Sequence, residues 1–211
     1  MAPLPTKVFL AAVCSMVSFG FAQGESAADK KPSASAKHHS VLKVITGPIK
    51  PVIPRVWLSD GHAKQCKVGV GESFPSINLP NIRGTLTDLA SLHGRQATVV
   101  LFWHPDRWMA RTALIDMQRD VFKKFDPEKV SVVGIAVHQQ ASDLPSVLGK
   151  LNAEFPQLVD TSGEALSLVG TFSLPRIYVL DAEGTIVWFD IEYSEATRRE
   201  LQQTLIALTA E

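Results

Sequence analysis

Residues 98–108 of the chain read Thr98-Val99-Val100-Leu101-Phe102-Trp103-His104-Pro105-Asp106-Arg107-Trp108. The apolar run at the start of this segment is typical of a strand buried on both faces. A turn containing proline follows, and apolar residues at helical spacing then predict a helix that runs to about Phe125. Free backbone N–H groups and the positive end of the helix dipole meet at such a junction. The junction is therefore the first candidate for a functional site.

Strands and helices alternate after this segment. Residues 130–137 and 176–181 read as further buried strands, and the turn Asp181-Ala182-Glu183-Gly184 predicts a hairpin after the second of them. A helix is expected at residues 143–155, and Ser194 with Thr197 is expected to open a last amphipathic helix. This order predicts an α/β protein with a mixed central sheet covered by helices on both faces.

Two shorter elements precede the central strand. Residues 81–84 read as a turn, and Thr87 or Asp88 is expected to cap a short helical turn that ends before Gly94. The segment from residue 68 to residue 80 reads as an extended edge.

The net charge and the N-terminal residues indicate where the protein is located and which partners are unexpected. The 211 residues carry 21 Lys and Arg against 21 Asp and Glu, which gives no electrostatic reason to expect nucleic acid or an anionic membrane as a partner. Residues 1–22 contain Lys7, a short apolar run and small residues just before an expected cleavage site after residue 22. This pattern predicts a signal peptide and therefore an exported protein, periplasmic or extracellular. The run is too short for a stable membrane span, so none is expected after cleavage.

The region between the leader and the compact domain has a distinct composition. Residues 23–40 are small and polar, which predicts a disordered linker, and the prolines of residues 41–58 predict an extended arm on the domain surface. The predicted organisation is a signal peptide at 1–22, a linker and proline-rich arm at 23–67, and a compact domain at 68–211.

Cysteine and histidine usage limits the available chemistry. Cys14 lies in the leader, so Cys66 would be the single cysteine of the mature protein, without an internal disulfide. A half-buried, inert thiol is the favoured interpretation of Cys66. The scattered potential ligands lack the spacing of a metal site, so neither a metal nor a cofactor is predicted, and copper handling stays only as an alternative. These ligands are His38, His39, His62, Cys66, His104 and His138.

Four segments, in this order, carry a family pattern. They are Val68-Gly69-Val70-Gly71-Glu72-Ser73-Phe74-Pro75-Ser76-Ile77-Asn78-Leu79-Pro80, Val99-Val100-Leu101-Phe102-Trp103, Gly170-Thr171-Phe172-Ser173-Leu174-Pro175, and Ile177-Tyr178-Val179-Leu180-Asp181-Ala182-Glu183-Gly184-Thr185-Ile186-Val187. Together they resemble the thioredoxin-fold redoxins, which include the exported TlpA-type thiol–disulfide oxidoreductases and the AhpC/TSA peroxiredoxins. The resemblance covers residues 68–209. It implies a thioredoxin-like three-layer sandwich and a cis-proline loop at Leu174-Pro175.

The resemblance also implies where catalytic thiols would lie. In the TlpA-like register the Cys-x-x-Cys positions fall on Arg107 and Ala110, and in the peroxiredoxin register the peroxidatic position falls on Thr112. None of these side chains can form a mixed disulfide or a sulfenic acid. Membership of an oxidoreductase family therefore does not settle whether this chain is an enzyme.

Family members hold extended peptides beside the cis-proline loop by strand-like hydrogen bonds. The resemblance therefore implies a binding groove, and the favoured hypothesis is a module that binds a protein or an extended peptide. One alternative is a thiol–disulfide oxidoreductase or antioxidant enzyme that uses Cys66 in intermolecular exchange. The competing interpretation of the aromatic and basic side chains is that Trp103 is core, Trp108 covers the helix start and the arginines are solvated. The predicted groove residues are Trp103, His104, Arg107, Trp108, Leu174, Pro175 and Arg176.

Overall fold

The structure, a computed structural model, describes residues 51–171 and 173–210. The predicted signal peptide at 1–22, the predicted linker at 23–40 and residues 41–50 of the predicted arm lie outside these residues. In chain order the elements are α1 (Asp60–Ala63), β1 (Asn78–Pro80), β2 (Leu86–Asp88), a 3-10 helix (Leu89–Leu92), β3 (Ala97–Trp103), α2 (Trp108–Met117), a π-helical turn (Gln118–Phe122), β4 (Val130–Val137), α3 (Leu144–Leu151), β5 (Gln157–Asp160), α4 (Glu164–Val169), β6 (Arg176–Leu180), β7 (Ile186–Asp190) and α5 (Glu195–Thr209).

The central sheet is mixed and has the strand order β5-β4-β3-β6-β7. Strand β3 pairs in parallel with β4, and β4 in parallel with β5. On its other side β3 pairs antiparallel with β6, which pairs antiparallel with β7. Parallel neighbours need a crossover, which α2 and α3 supply, whereas the antiparallel β6–β7 pair needs only a tight turn. The predicted mixed sheet is confirmed.

Side chains of β3 alternate between two apolar clusters, one on each face of the sheet. Val99, Leu101 and Trp103 pack in a cluster with residues of α2, α3 and α5. Val100 and Phe102 pack in a second cluster with residues of α4 and of the 3-10 helix. The fold therefore has helices on both faces of the sheet, as the predicted three-layer sandwich requires.

The segment before β1 packs on this domain. The Gln203 side chain donates a hydrogen bond to the Val52 carbonyl at 2.8 Å, and Ile53 and Val56 contact the cluster that contains α2 and α5. The short helix α1 follows this segment. Its N-terminus is capped by the hydroxyl of Ser59.

Three predicted helices differ in extent from the observed ones. The helix after β3 changes to a π-helical turn at Gln118, and the helix predicted at residues 143–155 ends at Leu151 because Asn152 adopts a left-handed conformation. The helical turn near residue 87 begins instead at Leu89, since residues 86–88 pair as β2. Asp88 caps that turn through Ala90 N at 3.0 Å.

The Ser194 prediction is confirmed in detail. Its hydroxyl accepts from Thr197 N at 3.2 Å, and the Ser194 N–H donates back to the Thr197 hydroxyl at 3.1 Å. This reciprocal pair is a capping box that opens α5. Among residues 51–171 and 173–210, no helix is both long enough and apolar enough to cross a membrane.

Candidate functional site

The N-terminus of α2 lies beside the loop that precedes β6. Together they form a cavity of about 310 Å³, which we call the α2 groove. Strand β3 delivers the chain to this point, and Arg107 takes an extended conformation as the N-cap of α2. The Leu174-Pro175 peptide bond on the opposite wall is cis. The residues that line the α2 groove are Asp106, Arg107, Trp108, Met109, Ser173 and Leu174.

The exposed side chains that line the α2 groove are an aromatic ring, a guanidinium and the carboxylate of Asp106. Trp108 is 67% exposed, and Arg107 and Arg111 are exposed on the same turn. The first turn of α2 contains no acidic residue, and no side chain caps its N-terminus. The positive end of the helix dipole is therefore not offset by an acid within the helix itself.

Other side chains occupy the positions where the resemblance implies thiols. Ala110 is fully buried against the core, and the Thr112 hydroxyl donates to the Trp108 carbonyl at 3.1 Å within the same helix. Arg107 is the N-cap of α2 and one of the residues that line the α2 groove. None of the three provides a nucleophilic sulfur at the start of α2.

His104 orders the turn between β3 and α2. Its Nδ1 accepts from Asp106 N at 3.2 Å, and its Nε2 lies 3.0 Å from the amide nitrogen of Gln139. Only 17% of its side chain is exposed. These contacts suit a residue that shapes the turn before the α2 groove.

Two predicted groove residues have buried side chains. Trp103 is fully buried, and its indole N–H donates to Gln157 Oε1 at 3.0 Å. Arg176 is fully buried as well, on the sheet face opposite α2. The structure brings Arg107, Trp108 and Leu174 together, while Asp106, Met109 and Ser173 also line the cavity although sequence reasoning did not select them. Pro175 is buried beneath this wall.

Cys66 lies on the opposite face of the sheet from α2. It packs against the cluster that contains Phe102 and Tyr178, and its backbone forms an isolated bridge with Gly170. Its sulfur lies 3.6 Å from Nη1 of Arg176, the residue after the cis-proline. Cys66 is therefore close in space to the loop before β6, but from the side that does not face the α2 groove.

The histidines of the copper hypothesis do not converge. His62 pairs with Glu192 at 3.4 Å, and Nδ1 of His138 lies 3.4 Å from the Thr161 carbonyl. No group of three or more possible metal ligands occurs within the described ranges 51–171 and 173–210. His38 and His39 lie outside the described residues.

A charge network holds α2 against α5. Asp120, on the π-helical turn, accepts from Arg119 at 2.7 Å, from Arg198 at 2.7 Å and from Lys124 at 3.1 Å. The hydrogen bond from Arg119, with help from Arg198 and Lys124, holds the pKa of the Asp120 carboxyl well below its usual range. The network thereby fixes the helix that forms one wall of the α2 groove.

A second carboxylate extends this network into the core. Asp116 pairs with Arg119 and accepts a hydrogen bond from the Tyr193 hydroxyl at 2.9 Å. Burial, together with that hydrogen bond to Asp116, raises the pKa of Tyr193 far above its ordinary value. Tyr193 therefore stays a neutral donor at any physiological pH.

Comparisons with known proteins support the fold and identify the family. The sequence model of the AhpC/TSA family matches residues 70–189. A candidate thiol:disulfide interchange protein DsbE from Chlorobium tepidum has 23% identity and a TM-score of 0.61, over 67% of this chain and 99% of its own. A secreted Mycobacterium tuberculosis disulfide oxidoreductase, homologous to E. coli DsbE, has 24% identity and a TM-score of 0.52, over 63% and 96% of the two chains.

This chain is also similar to a third solved structure. Peroxidoxin BcpB from Mycobacterium tuberculosis has 16% identity and a TM-score of 0.57, over 67% of this chain and 98% of its own. No curated protein sequence matches this chain significantly. At these identities the three structures establish a shared thioredoxin-like fold.

Proposed function

The chain belongs to the AhpC/TSA family, and on that basis we propose that it is an exported binding module that holds an extended segment of a partner protein in the α2 groove. The observation that carries this proposal is the exposed pair Arg107 and Trp108 at the start of α2, where the family resemblance implies a thiol. These side chains cannot exchange electrons through sulfur, but both are effective binding groups.

Trp108 supplies apolar contact area. Its side chain is large and 67% exposed, so a partner that covers it removes a large apolar area from water. Covering it contributes on the order of 2 kcal/mol to binding. Tryptophan and arginine are also the residue types enriched at the energetic centres of interfaces.

Charge favours an acidic segment as the partner. Arg107 and Arg111 are exposed on the first turn of α2, and the helix dipole adds positive potential at the same place. A guanidinium binds a carboxylate with two parallel hydrogen bonds, which gives direction as well as attraction. An extended segment that carries Asp or Glu beside an apolar residue matches this surface best.

Binding is tested by fluorescence anisotropy with a labelled, extended acidic peptide and a matched peptide in which Lys replaces each acid. We expect only the acidic peptide to bind, with an affinity that falls as salt is added. Trp108→Ala and Arg107→Ala should each weaken binding by about tenfold, equivalent to about 1.4 kcal/mol. Trp57→Ala and Arg95→Ala are the matched controls, since both residues are exposed and neither lines the α2 groove.

Turnover assays distinguish binding from catalysis. The protein should catalyse neither the reduction of insulin disulfides nor the turnover of hydrogen peroxide. Turnover at a rate typical of the family would contradict the proposal. Peptide binding that both groove variants leave unchanged would also contradict it, because the partner would then lie elsewhere on the surface.

Export is the second part of the proposal. It is supported by Lys7 and the apolar run within residues 1–22, which have the pattern of a cleaved leader. The test is expression with the native N-terminus and intact mass measurement of the exported protein. We expect a mature chain that begins at Gln23 and lacks Cys14, whereas retention of Cys14 in the cell fraction would contradict export.

A further inference from the structure

The exposed side of α2 extends beyond the α2 groove. Four residues of this helix are exposed, and they are Trp108, Arg111, Thr112 and Ile115. Residues three, four and seven positions apart lie on the same side of a helix. Because an α-helix rises about 1.5 Å per residue, Trp108 and Ile115 lie about 10 Å apart along this side, with Arg111 and Thr112 between them. We call these four residues the α2 face.

The α2 face carries a positive charge that no acid of the helix offsets. Arg111 and Asp116 are the only charged residues of α2. Asp116 is buried, pairs with Arg119 and accepts a hydrogen bond from the Tyr193 hydroxyl at 2.9 Å. Arg111 is exposed, and among residues 51–171 and 173–210 it pairs with no carboxylate. The exposed carboxylate of Asp106 lines the α2 groove and precedes the helix, so it is not part of the α2 face.

Ile115 gives the α2 face a second apolar contact. Its side chain is 42% exposed, against 67% for Trp108. A single exposed isoleucine is ordinary on a protein surface. Ile115, however, lies in line with Trp108 and beyond Arg111 as the helix leads away from the α2 groove. The α2 face therefore presents an apolar, a cationic and a second apolar contact along one line.

The charge of the α2 face selects its occupant. A symmetric contact between two copies of this chain would bring the same patch of each copy together, so two Arg111 side chains would repel each other. A carboxylate instead binds a guanidinium through two parallel hydrogen bonds. An acidic segment that continues out of the α2 groove meets this requirement. An extended chain advances about 3.3 Å per residue, so it reaches Ile115 about three or four residues from the residue that covers Trp108.

We propose that the partner segment continues from the α2 groove along the α2 face and covers Ile115 with an apolar side chain. This inference rests on the proposed binding of an acidic segment in the α2 groove, and it specifies the remainder of that segment. An acid of the partner binds Arg111 between two apolar residues, one over Trp108 and the other over Ile115. The partner is therefore recognised by an acidic pattern with an apolar residue at each end.

Fluorescence anisotropy with three labelled peptides tests this continuation. The short peptide is the acidic peptide that fills the α2 groove. Each longer peptide adds four residues, with Glu among them and Leu outermost, at the N-terminal end in one and at the C-terminal end in the other, which covers both directions along α2. We expect one of the two longer peptides to bind about tenfold more tightly than the short one, because its Leu side chain is buried against Ile115.

Ile115→Ala assigns the gain in affinity to the α2 face. Alanine favours a helix, so this variant should fold and should bind the short peptide as the wild type does, but it should lose most of the tenfold gain. Replacing the outermost Leu of the longer peptide by Ser should remove the same gain, and the two changes together should cost little more than either alone. Ile206→Ala is the matched control, since Ile206 is 51% exposed on α5, and it should leave the gain unchanged.

The outcomes separate this inference from the proposed function. Binding of the short peptide with no gain for either longer peptide, or with a gain that Ile115→Ala leaves intact, would overturn the inference alone. Absence of binding by all three peptides would overturn the proposed function as well. A dimer in analytical ultracentrifugation that Ile115→Ala dissociates would identify a second copy of the chain as the occupant of the α2 face, which would also overturn the inference.

Discussion

Replacing Asp120 by Asn should destabilise the protein strongly and loosen the helix that carries Arg107 and Trp108. The side chain of Asp120 is 4% exposed and accepts four charge-assisted hydrogen bonds, two from Arg119 and one each from Lys124 and Arg198. The Asn variant keeps one acceptor oxygen but turns an amide N–H₂ toward cations. The buried end of the network would then lack its negative charge.

The size of the expected loss of stability depends on how exposed the cationic partners of Asp120 are. Breaking a fully buried ion pair costs about 3–5 kcal/mol. Here the side chains of Arg119, Lys124 and Arg198 are 52%, 60% and 31% exposed, so water can replace part of what they lose. We therefore expect Asp120→Asn to reduce the free energy of unfolding by about 2–3 kcal/mol.

The pH dependence of the stability difference between wild type and Asp120→Asn is a second measurement, and the direction of the change can be predicted. Because Arg119 and the other cations lower the pKa of Asp120 in the folded state, its contribution to stability is complete above the unfolded pKa of about 3.9. The contribution is lost as the pH falls toward the folded pKa. The difference between wild type and Asp120→Asn should thus be constant near neutrality and shrink below about pH 4.

Urea denaturation monitored by circular dichroism measures both the loss of stability and its dependence on pH. The slope of the unfolding free energy against urea concentration should be the same in the variant and the wild type. Glu128→Gln is the matched control, since it breaks the exposed pair with Arg95 and should cost less than about 1 kcal/mol. A loss for Asp120→Asn no larger than that of Glu128→Gln would refute the assignment of the network as an anchor between α2 and α5.

Three further perturbations test other parts of the structure. Arg107→Cys combined with Ala110→Cys should produce measurable insulin disulfide reduction, because a thiol at the helix N-terminus has the setting that activates it; a folded double variant with free thiols and no activity would contradict the assigned register. Ser194→Ala removes half of the capping box and should cost about 1 kcal/mol in urea denaturation, and an unchanged midpoint would contradict the role of the cap. Burial lowers the pKa of His93, although the charge of Asp88 opposes this. The unfolded chain therefore binds a proton at higher pH than the folded protein does, and stability should decline as the pH falls below about 6.5. His93→Gln should remove that decline, measured as the difference between urea midpoints at about pH 7 and about pH 5.5.

Elements with strong local patterns were predictable from the sequence. The apolar run of β3, the hairpin turn at residues 181–184 and the cap at Ser194 each depend on residues close together in the chain, and all three occur in the structure. Helix ends were less predictable. The π-helical turn after Met117, for example, has no distinct local pattern, and its Asp120 pairs with Arg198 of α5, 78 residues later in the chain.

The candidate site, too, was predictable from the sequence only in part. Position 107 at the start of a helix, and the absence of sulfur there, can be deduced from residues adjacent in the chain. A strand buried on both faces, however, carries no alternation from which to assign the direction of Trp103 or Arg176. Only long-range pairing directs Arg176 away from the α2 groove and onto the sulfur of Cys66, 110 residues earlier. Contacts of that kind arise from sheet register and layer packing, which local residue patterns do not encode.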